Sequence, residues 1–378
     1  MKILYLTDQI YLAGGAEKIL IQKMNYWIEV FNYDVTLITT NQKGHSPFYK
    51  LNKAAKLIDL EINYVEGLSF FGPTNFLKLP IHILKLKREL TSLKPDAIFV
   101  ISKSFVRIIT PFLSKDIAIF NEYHTSYYAT KLKLETCSFF QKTKTKAIGY
   151  INSLIETLYT KIIFLNEEEY NYYNLKNAVV IPNFFDANLS NKSIKKKKSV
   201  ISLGRLCNQK GFDMLIDAWE IVDKEVIDWE LNIYGDGDDF EILNKKIKKI
   251  EFNNPINLRL AINNVNEKLM ESSFYVMSSR FETFPMVLLE AFSNKLPVIS
   301  FDSPTGARNI ITDMEDGFLI DPYNINQLAS KIICLMNDKE LRDKMSERAL
   351  INVKRFNAEK IMKQWDLLIK SNLKSYYK

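Results

Sequence analysis

The sequence predicts an α/β protein made of two parallel-sheet domains, and three observations carry that expectation. Short apolar, β-rich runs alternate with helical stretches from one end of the chain to the other, the pattern that builds βαβ units. The chain has 378 residues, 47% hydrophobic and 25% charged, an ordinary globular composition at a length suited to two or three domains. The alternation breaks at "ANLSNKSIKKKKS", residues 187–199, which is polar, lacks periodicity and carries four consecutive lysines, Lys195 to Lys198. A solvated linker fits this stretch; a membrane or anion contact is the sharper alternative. The expected division is a first domain over 1–186, a linker over 187–199 and a second domain over 200–356. Ligands of open parallel sheets bind at the carboxyl ends of the strands, so those ends are expected to face a shared cleft.

The elements follow in order. "KILYLT" is an apolar run that meets Asp8 at once, with no small-residue cleavage site behind it, and so reads as a first strand and not as a signal peptide. "YLAGGAEKIL", 11–20, turns from that strand into a helix over 16–30. The strands "DVTLITT", "DAIFVI", "IAIFN", "KIIFLN" and "AVVIP" come next, with helical stretches such as 75–93 between them. In the second half the strands are "VISLG", "ELNIYG", "INLRLA", "FYVMS", "PVISF" and "GFLID". Helices near 210–223, 239–249, 264–272, 285–295 and 324–336 separate them. Helices close the chain, including "NAEKIMKQWDLLIKSNL", 357–373, and the terminal segment of about 357–378 is long enough to return to the first domain. No fixed-period repeat is present.

Composition excludes several classes. Cys137, Cys207 and Cys334 lie far apart and form no C-x-x-C pair, which points to a reduced cytoplasmic setting. No run approaches the ~18 apolar residues of a membrane span; "AIFVISKSFVRIITPFL" is cut by Lys103 and Arg107. The net charge of +7 suits anionic ligands or a membrane surface. Zinc-finger, RNA-recognition and basic-zipper patterns are missing, so no nucleic-acid partner is expected.

Four constellations carry chemistry. Gly14 and Gly15 follow the first strand and open a helix whose free N–H groups suit a phosphate or carboxylate, although a plain strand-to-helix turn would need the same glycines. In "LGRLCNQKGFDMLIDAW", 203–219, Arg205 and Lys210 lie five residues apart at the carboxyl edge of a strand. Together they could neutralise a diphosphate without metal, or be two solvated cations. "NIYGDGDDFEIL", 232–243, resembles a dinucleotide fingerprint at Gly235 and Gly237 but has Phe240 where a third glycine belongs. Asp236, Asp238 and Asp239 would also repel a pyrophosphate, so a tight turn, passing a nucleobase at most, is expected there. In "RFETFPMVLLEAF", 280–292, Pro285 suits the first turn of a helix. That places Glu282 in the loop before the helix and Glu290 inside it, with the backbone N–H groups of Phe284, Met286 and Val287 left for an anion. Both carboxylates can accept from sugar hydroxyls, or can be a solvated pair.

Residues 200–320 resemble the donor-binding half of the family-4 retaining glycosyltransferases. The resemblance rests on "GRLCNQKGFDMLIDAW", "IYGDGDD", "SSRFETFPMVLLEAFSNKLPVIS" with its E-x(7)-E pair, and "TGARNIITDMEDGFLI", in that order. "GGAEK" and "IPNFFD" extend it over nearly the whole chain, more weakly between 40 and 160. It implies the GT-B architecture, two Rossmann-like domains facing a cleft. It further implies that Arg205 and Lys210 bind the donor diphosphate, that Glu290 accepts from the nucleotide ribose, and that Glu282 contacts the transferred sugar. Gly15 would offer its N–H to the phosphate, and His124, in "NEYHTSYY", matches the family's histidine near the sugar; His45 and His82 lack such context and are expected at the surface. Two positions depart from the pattern. Thr283 replaces a common glycine, and Ala261 and Ile262 occupy a turn where relatives have one, leaving nucleobase contacts such as Asn263 open.

The resemblance implies a metal-independent transfer of a hexosyl group from a nucleoside-diphosphate sugar, UDP being the favoured nucleotide, to a glycan acceptor. Two glutamates working as a hydrolytic pair would not need Arg205 and Lys210 beside a glycine loop. The rivals are a nucleotide-sugar epimerase, a glycoside hydrolase and a catalytically silent nucleotide-sugar-binding protein. No cofactor is expected. In "SYYATKLKLETCSFFQKTKTKAIGYINSL", 126–154, Lys131, Lys133, Lys142, Lys144 and Lys146 mix with Tyr127, Tyr128, Phe139 and Phe140. That mixture suits an anionic membrane, or an amphipathic helical pair packed on the first domain. The expectation is a peripheral enzyme at the inner face of the plasma membrane, extending a lipid-linked glycan for a surface polysaccharide.

Overall fold

The computed structural model describes residues 1–65, 67–68, 72–102, 104–135, 138–186 and 196–373; the side chains of 133–135, 139–142, 144, 146 and 147 lie outside that description. The chain forms two units. The first comprises residues 1–124, 130–182 and 359–378, and the second comprises 125–129 and 183–358.

In the first unit β1 (Lys2–Thr7) leads through α1 (Gly15–Glu29) to β2 (Asp34–Thr39) and β3 (Lys56–Asp59). The chain then runs through α2 (Pro73–Phe76) and α3 (Leu79–Leu93) to β4 (Ala97–Ile101), α4 (Phe105–Leu113) and β5 (Ala118–Glu122). Next come α5 (Tyr127–Glu135), α6 (Phe139–Glu156), β6 (Lys161–Phe164), α7 (Glu167–Tyr173) and β7 (Ala178–Val180). The strands form one sheet in the order β3-β2-β1-β4-β5-β6-β7, and every pairing is parallel. Ile3 to Leu6 and Ala97 to Val100 are wholly buried, because helices cover both faces of a parallel sheet. The order reverses between β1 and β4, so the loop leading from β1 into α1 stands at the switch point. The final helix of the chain, α14 (Ala358–Leu373), belongs to this unit: Tyr33 donates to Asp366 at 2.5 Å and Trp365 is buried.

The second unit begins with β8 (Ser199–Leu203), α8 (Phe212–Val222), β9 (Glu230–Tyr234), α9 (Phe240–Lys248), β10 (Ile256–Arg259) and α10 (Val265–Glu271). It continues with β11 (Phe274–Met277), α11 (Met286–Ser293), β12 (Val298–Phe301), β13 (Gly317–Ile320), α12 (Ile325–Asn337) and α13 (Lys339–Asn352). Its parallel sheet runs β10-β9-β8-β11-β12-β13, with the switch between β8 and β11. The core of this unit gathers Trp219, Leu215, Ile216 and Val222 of α8 with Val276, Ile299, Leu328 and Ile332.

Several expectations are corrected. His82 is not at the surface: it shares the buried stripe of α3 with Leu86 and Leu90 at i, i+4 and i+8, and its Nδ1 lies 2.7 Å from the Tyr64 hydroxyl. Burial lowers its pKa to about 4, keeping the ring neutral. The helix expected over 75–93 breaks in two around Leu77 and Lys78, with Pro80 in the first turn of α3. Pro285 is the N-cap of α11, in extended conformation, so the helix begins one residue later than expected. The main stretch of the second unit runs from Asn183, and Lys197 and Lys198 pair with Glu271 and Asp228 of that same unit; residues 187–195 of the expected linker, with Lys195, lie outside the described residues. The described residues of the stretch 126–154 lie mostly in helices α5 and α6; residues 136 and 137, and the side chains of Lys133, Lys142, Lys144, Lys146, Phe139 and Phe140, are outside the description. Among the described residues no helix is long and apolar enough to cross a membrane.

Trp219 supplies a direct test of the second core. It is fully buried and its Nε1 donates to the Asn254 carbonyl at 2.9 Å. Trp219→Phe removes volume and orphans that carbonyl, so chemical denaturation should show a loss of about 2–4 kcal/mol.

Candidate active site

The switch point of the second sheet brings two loops together. One, 204–211, leaves β8; the other, 278–285, leaves β11. Gly211 makes their approach possible: its φ is +65°, and a Cβ there would lie 2.1 Å from the Ser278 carbonyl oxygen. Gly235, at the end of β9, is held by a similar constraint, since a Cβ would meet the Gly204 carbonyl oxygen at 1.9 Å. Hydrogen bonds then staple the loops. Gln209 donates through Nε2 to the Phe281 carbonyl at 3.0 Å, the Arg280 N–H donates to the Gln209 carbonyl at 2.8 Å, and Ser278 Oγ donates to the Lys210 carbonyl at 3.1 Å. Arg280 also forks onto Asp213 at 3.0 and 2.7 Å, tying the second loop to the first turn of α8.

Lys210 and Glu282 meet where the loops join. Lys210 Nζ lies 2.6 Å from Glu282 Oε1, which also accepts from Ser279 Oγ at 2.8 Å. The lysine side chain is 22% exposed and the glutamate side chain 9%, so the pair is half sheltered and open along one edge. Glu282 Oε2 accepts no bond among the described residues. Arg205, on the same loop as Lys210, is exposed, and no carboxylate among the described residues pairs with its guanidinium. Glu290 is half-buried in the body of α11. The first-turn N–H groups of Met286 and Val287 have no intrahelical acceptor, the arrangement that favours an anion. Phe284 is turned inward, its ring 5.5 Å from that of Phe356, so only its backbone is available.

Two supporting residues were not visible in the motifs. Tyr275 of β11 is fully buried, and its hydroxyl bridges the backbone of Leu203, donating to the carbonyl at 3.0 Å and accepting from the N–H at 3.2 Å. Burial above all, with a smaller push from the charges of Glu282 and Glu290, raises its pKa above the ordinary tyrosine value. A tyrosine inside an otherwise apolar strand was the available signal. Thr305 adopts φ +68° while buried, an uncommon state for a β-branched residue. Its Oγ1 donates to the backbone carbonyl of Glu282 at 2.5 Å and lies 2.8 Å from Ser126 Oγ. Tyr128, one of the aromatics expected at a membrane, has its ring 6.3 Å from that of Phe281 in this unit.

In the first unit Gly14 caps α1 and Gly15 is its exposed first residue, with nothing beyond its own chain neighbours and helix backbone within 4 Å of where a Cβ would be. His124 follows β5, with Nε2 3.1 Å from Glu122 Oε2, and Lys23 of α1 reaches Glu122 Oε1 at 2.6 Å. Glu122 and Lys23 were not singled out by sequence because their pairing spans 99 residues. Cys207 and Cys334 are free thiols. Among the described residues no group of three or more His, Cys, Asp or Glu side chains is placed to hold a metal.

These loops stand at the carboxyl edge of a doubly wound sheet, at its switch point, where such folds bind their ligands. The Glycosyl transferases group 1 model matches residues 185–351, the part of the chain that carries them, and a glycosyltransferase of Methanocaldococcus jannaschii is 30% identical over 285 residues, covering 59% of this chain and 70% of its own. The chain belongs to the group 1 glycosyl transferases. It is 28% identical to the amylovoran biosynthesis glycosyltransferase AmsD of Erwinia amylovora over 97% of this chain and 98% of the relative. A mutant of Staphylococcus aureus TarM in complex with fondaparinux, alpha-GlcNAc-glycerol and UDP superimposes with a TM-score of 0.77 at 17% identity, covering 97% of this chain and 99% of that one. The fold is therefore GT-B, built of two Rossmann-like α/β domains.

A second polar cluster of the first unit gathers around Glu156. Glu156 Oε1 receives Arg107 Nη1 at 3.0 Å and the Tyr123 hydroxyl, while Arg107 Nη2 reaches Asn152 Oδ1 at 2.7 Å. Burial raises the Glu156 pKa to about 7, against the opposing pull of Arg107. A raised carboxyl binds its proton more tightly in the folded state. Its contribution is complete below the ordinary value near 4.5 and is lost as pH climbs through about 7. Urea denaturation at pH 5, 6, 7 and 8 should show a decline in stability over that window which Glu156→Gln abolishes.

Proposed function

We propose that this chain is a retaining hexosyltransferase that moves a sugar from a nucleoside-diphosphate sugar, with UDP the favoured nucleotide, to a lipid-linked glycan in the synthesis of a surface polysaccharide, without a metal ion. The observation that carries this reading is the Lys210–Glu282 contact, with Arg205 exposed on the Lys210 loop and the N-terminus of α11 following the Glu282 loop, in a group 1 glycosyl transferase. The nucleotide is favoured because TarM was captured with UDP, and the product class because AmsD is named for amylovoran biosynthesis.

In this reading Arg205 grips phosphate oxygens with its planar fork. Lys210 keeps one N–H on Glu282 and turns the others to the diphosphate, which its three donors allow. The backbone N–H groups of Phe284, Met286 and Val287 add to the anion site, Gly235 lets the β9 turn pass close to the nucleotide, and Gly15 contributes its own N–H. Glu290 accepts from the ribose hydroxyls and Glu282 Oε2 from the sugar. As the bond from the anomeric carbon to the phosphate oxygen breaks, these cations stabilise the charge on the leaving diphosphate. The acceptor oxygen bonds to the same face, and its proton passes to a departing phosphate oxygen. His124 is assigned to the sugar. An anomerically inverted product, read by NMR, would overturn this account of the step.

Thermal stability against UDP, GDP and ADP in excess chelator tests the donor site. A nucleotide at ~100 times its dissociation constant should stabilise the folded chain by roughly 2.7 kcal/mol. The expected result is a shift with UDP that Arg205→Ala abolishes. A UDP shift without turnover on any glycan acceptor would point instead to a silent binding protein. No shift with any of the three would remove the assignment of Arg205 and Lys210.

A further inference from the structure

The buried lysine of the first unit does not touch the donor site just described, yet its surroundings are built with care. Lys23 and Glu122 are each about 1–2% exposed and 2.6 Å apart. The Lys23 ammonium lies 3.5 Å from the centre of the Trp365 ring, with the rings of Tyr5 and Phe99 at 5.9 and 5.8 Å, so aromatic faces close it off from water. Burial lowers the lysine pKa against the pull of Glu122. For Glu122, burial, which alone would raise it, is outweighed by Lys23 and His124, and the carboxyl lies below its ordinary range. A buried ion pair is a weak source of stability, because desolvation offsets most of the attraction. With the Lys23 ammonium 2.6 Å away holding its carboxyl below the ordinary range, Glu122 faces its neighbours as a carboxylate, and a carboxylate only accepts. Since its Oε2 faces His124 Nε2 at 3.1 Å, that nitrogen carries a proton, which leaves Nδ1 as the accepting edge whenever the ring is neutral.

We propose that Glu122, held ionised by Lys23, is a positioning residue that fixes the tautomer and ring plane of His124 so that Nδ1 is presented to a substrate hydroxyl. This rests on the assignment of His124 to the reaction. Lys23 of α1, Glu122 of β5 and His124 just beyond it form one chain of contacts, and Trp365 of α14 supplies its aromatic cover.

The geometry makes an unusual demand of Glu122→Gln. Lys23 is a donor only, so it selects the amide oxygen, and the NH2 group must then face His124 Nε2. That nitrogen has to accept, and the ring proton moves to Nδ1. In the double variant Lys23→Met/Glu122→Gln the amide is free to turn its oxygen back to the histidine. Nitrogen-15 NMR of histidine-labelled protein reads this directly, because the chain has only 3 histidines. The neutral wild-type ring should be protonated at Nε2, Glu122→Gln should switch it to Nδ1, and the double variant should restore it. Turnover should follow: kcat down by roughly 10–100-fold in Glu122→Gln with donor KM little changed, and largely recovered in the double variant. A purely structural pair would lower stability without switching the proton. Should Glu122→Gln fail to fold, the wild-type spectrum still decides, since an Nδ1-protonated His124 overturns the proposal. So does an unchanged tautomer in a folded Glu122→Gln. If the tautomers behave as expected but His124→Ala turns over at the wild-type rate, the assignment of His124 falls and this role falls with it. If His124→Ala is inactive and the tautomer is insensitive to Glu122, only the role of Glu122 is lost.

Discussion

The Lys210–Glu282 contact joins positions 72 residues apart, and its existence follows from one constraint: parallel strands place all their following loops on the same edge of the sheet. With the strand order reversing between β8 and β11, two of those loops have no intervening crossover helix to separate them. Everything local then serves to keep the loops in reach. Gly211 removes a Cβ that would strike Ser278, Gln209 and Arg280 lock backbone to backbone, and Tyr275 pins the end of β8 from below. The contact itself, half sheltered, contributes little to stability by comparison with the cores. It fixes where a cation and a carboxylate stand when a ligand arrives.

The first unit uses the same topology for a different purpose. Its switch lies between β1 and β4, and α1, which begins there, carries both an exposed helix start at Gly15 and a lysine buried two turns further along. Lys210 keeps part of its surface open, so its remaining donors stay accessible. Lys23, sealed by Trp365 and the neighbouring rings, can serve only the carboxylate it touches. One pair is arranged for exchange with a ligand, the other for constancy.

Much of this was legible in the sequence, because period and motif are local. The strands of both sheets are short apolar runs bounded by turn residues, and "GRLCNQKG" and "RFETFP" place Arg205, Lys210 and Glu282 on loops following strands, where the structure has them. What escaped was non-local or only weakly patterned. Lys23 looks like a surface lysine in an amphipathic helix until Glu122 arrives 99 residues later. His82 has no motif around it, and only its spacing with Leu86 and Leu90 marks it as interior. β3 is a four-residue edge strand without a fully buried position, and α13 carries too few apolar residues to announce a face. Pro285 was read as the first helical residue because proline favours that position, whereas its extended ψ of 93° makes it the cap.

Thr305 shows where the fold gives up local comfort. A β-branched side chain at positive φ costs on the order of 1–3 kcal/mol, and such a state persists only where its surroundings over-determine it. Here they do: the Thr305 hydroxyl reaches the Glu282 carbonyl, and Gly306 follows because a Cβ there would lie 2.6 Å from Glu282 Cβ. The loop after β12 is thus bent against its own preference to press on the backbone of one glutamate. With Lys210 and Ser279 holding the same oxygen of that glutamate's side chain, its backbone and one carboxylate oxygen are both fixed, and the other oxygen is left to accept. A residue needed only for packing would not require restraint from three directions; a carboxylate whose one free oxygen has to be held in a set place does.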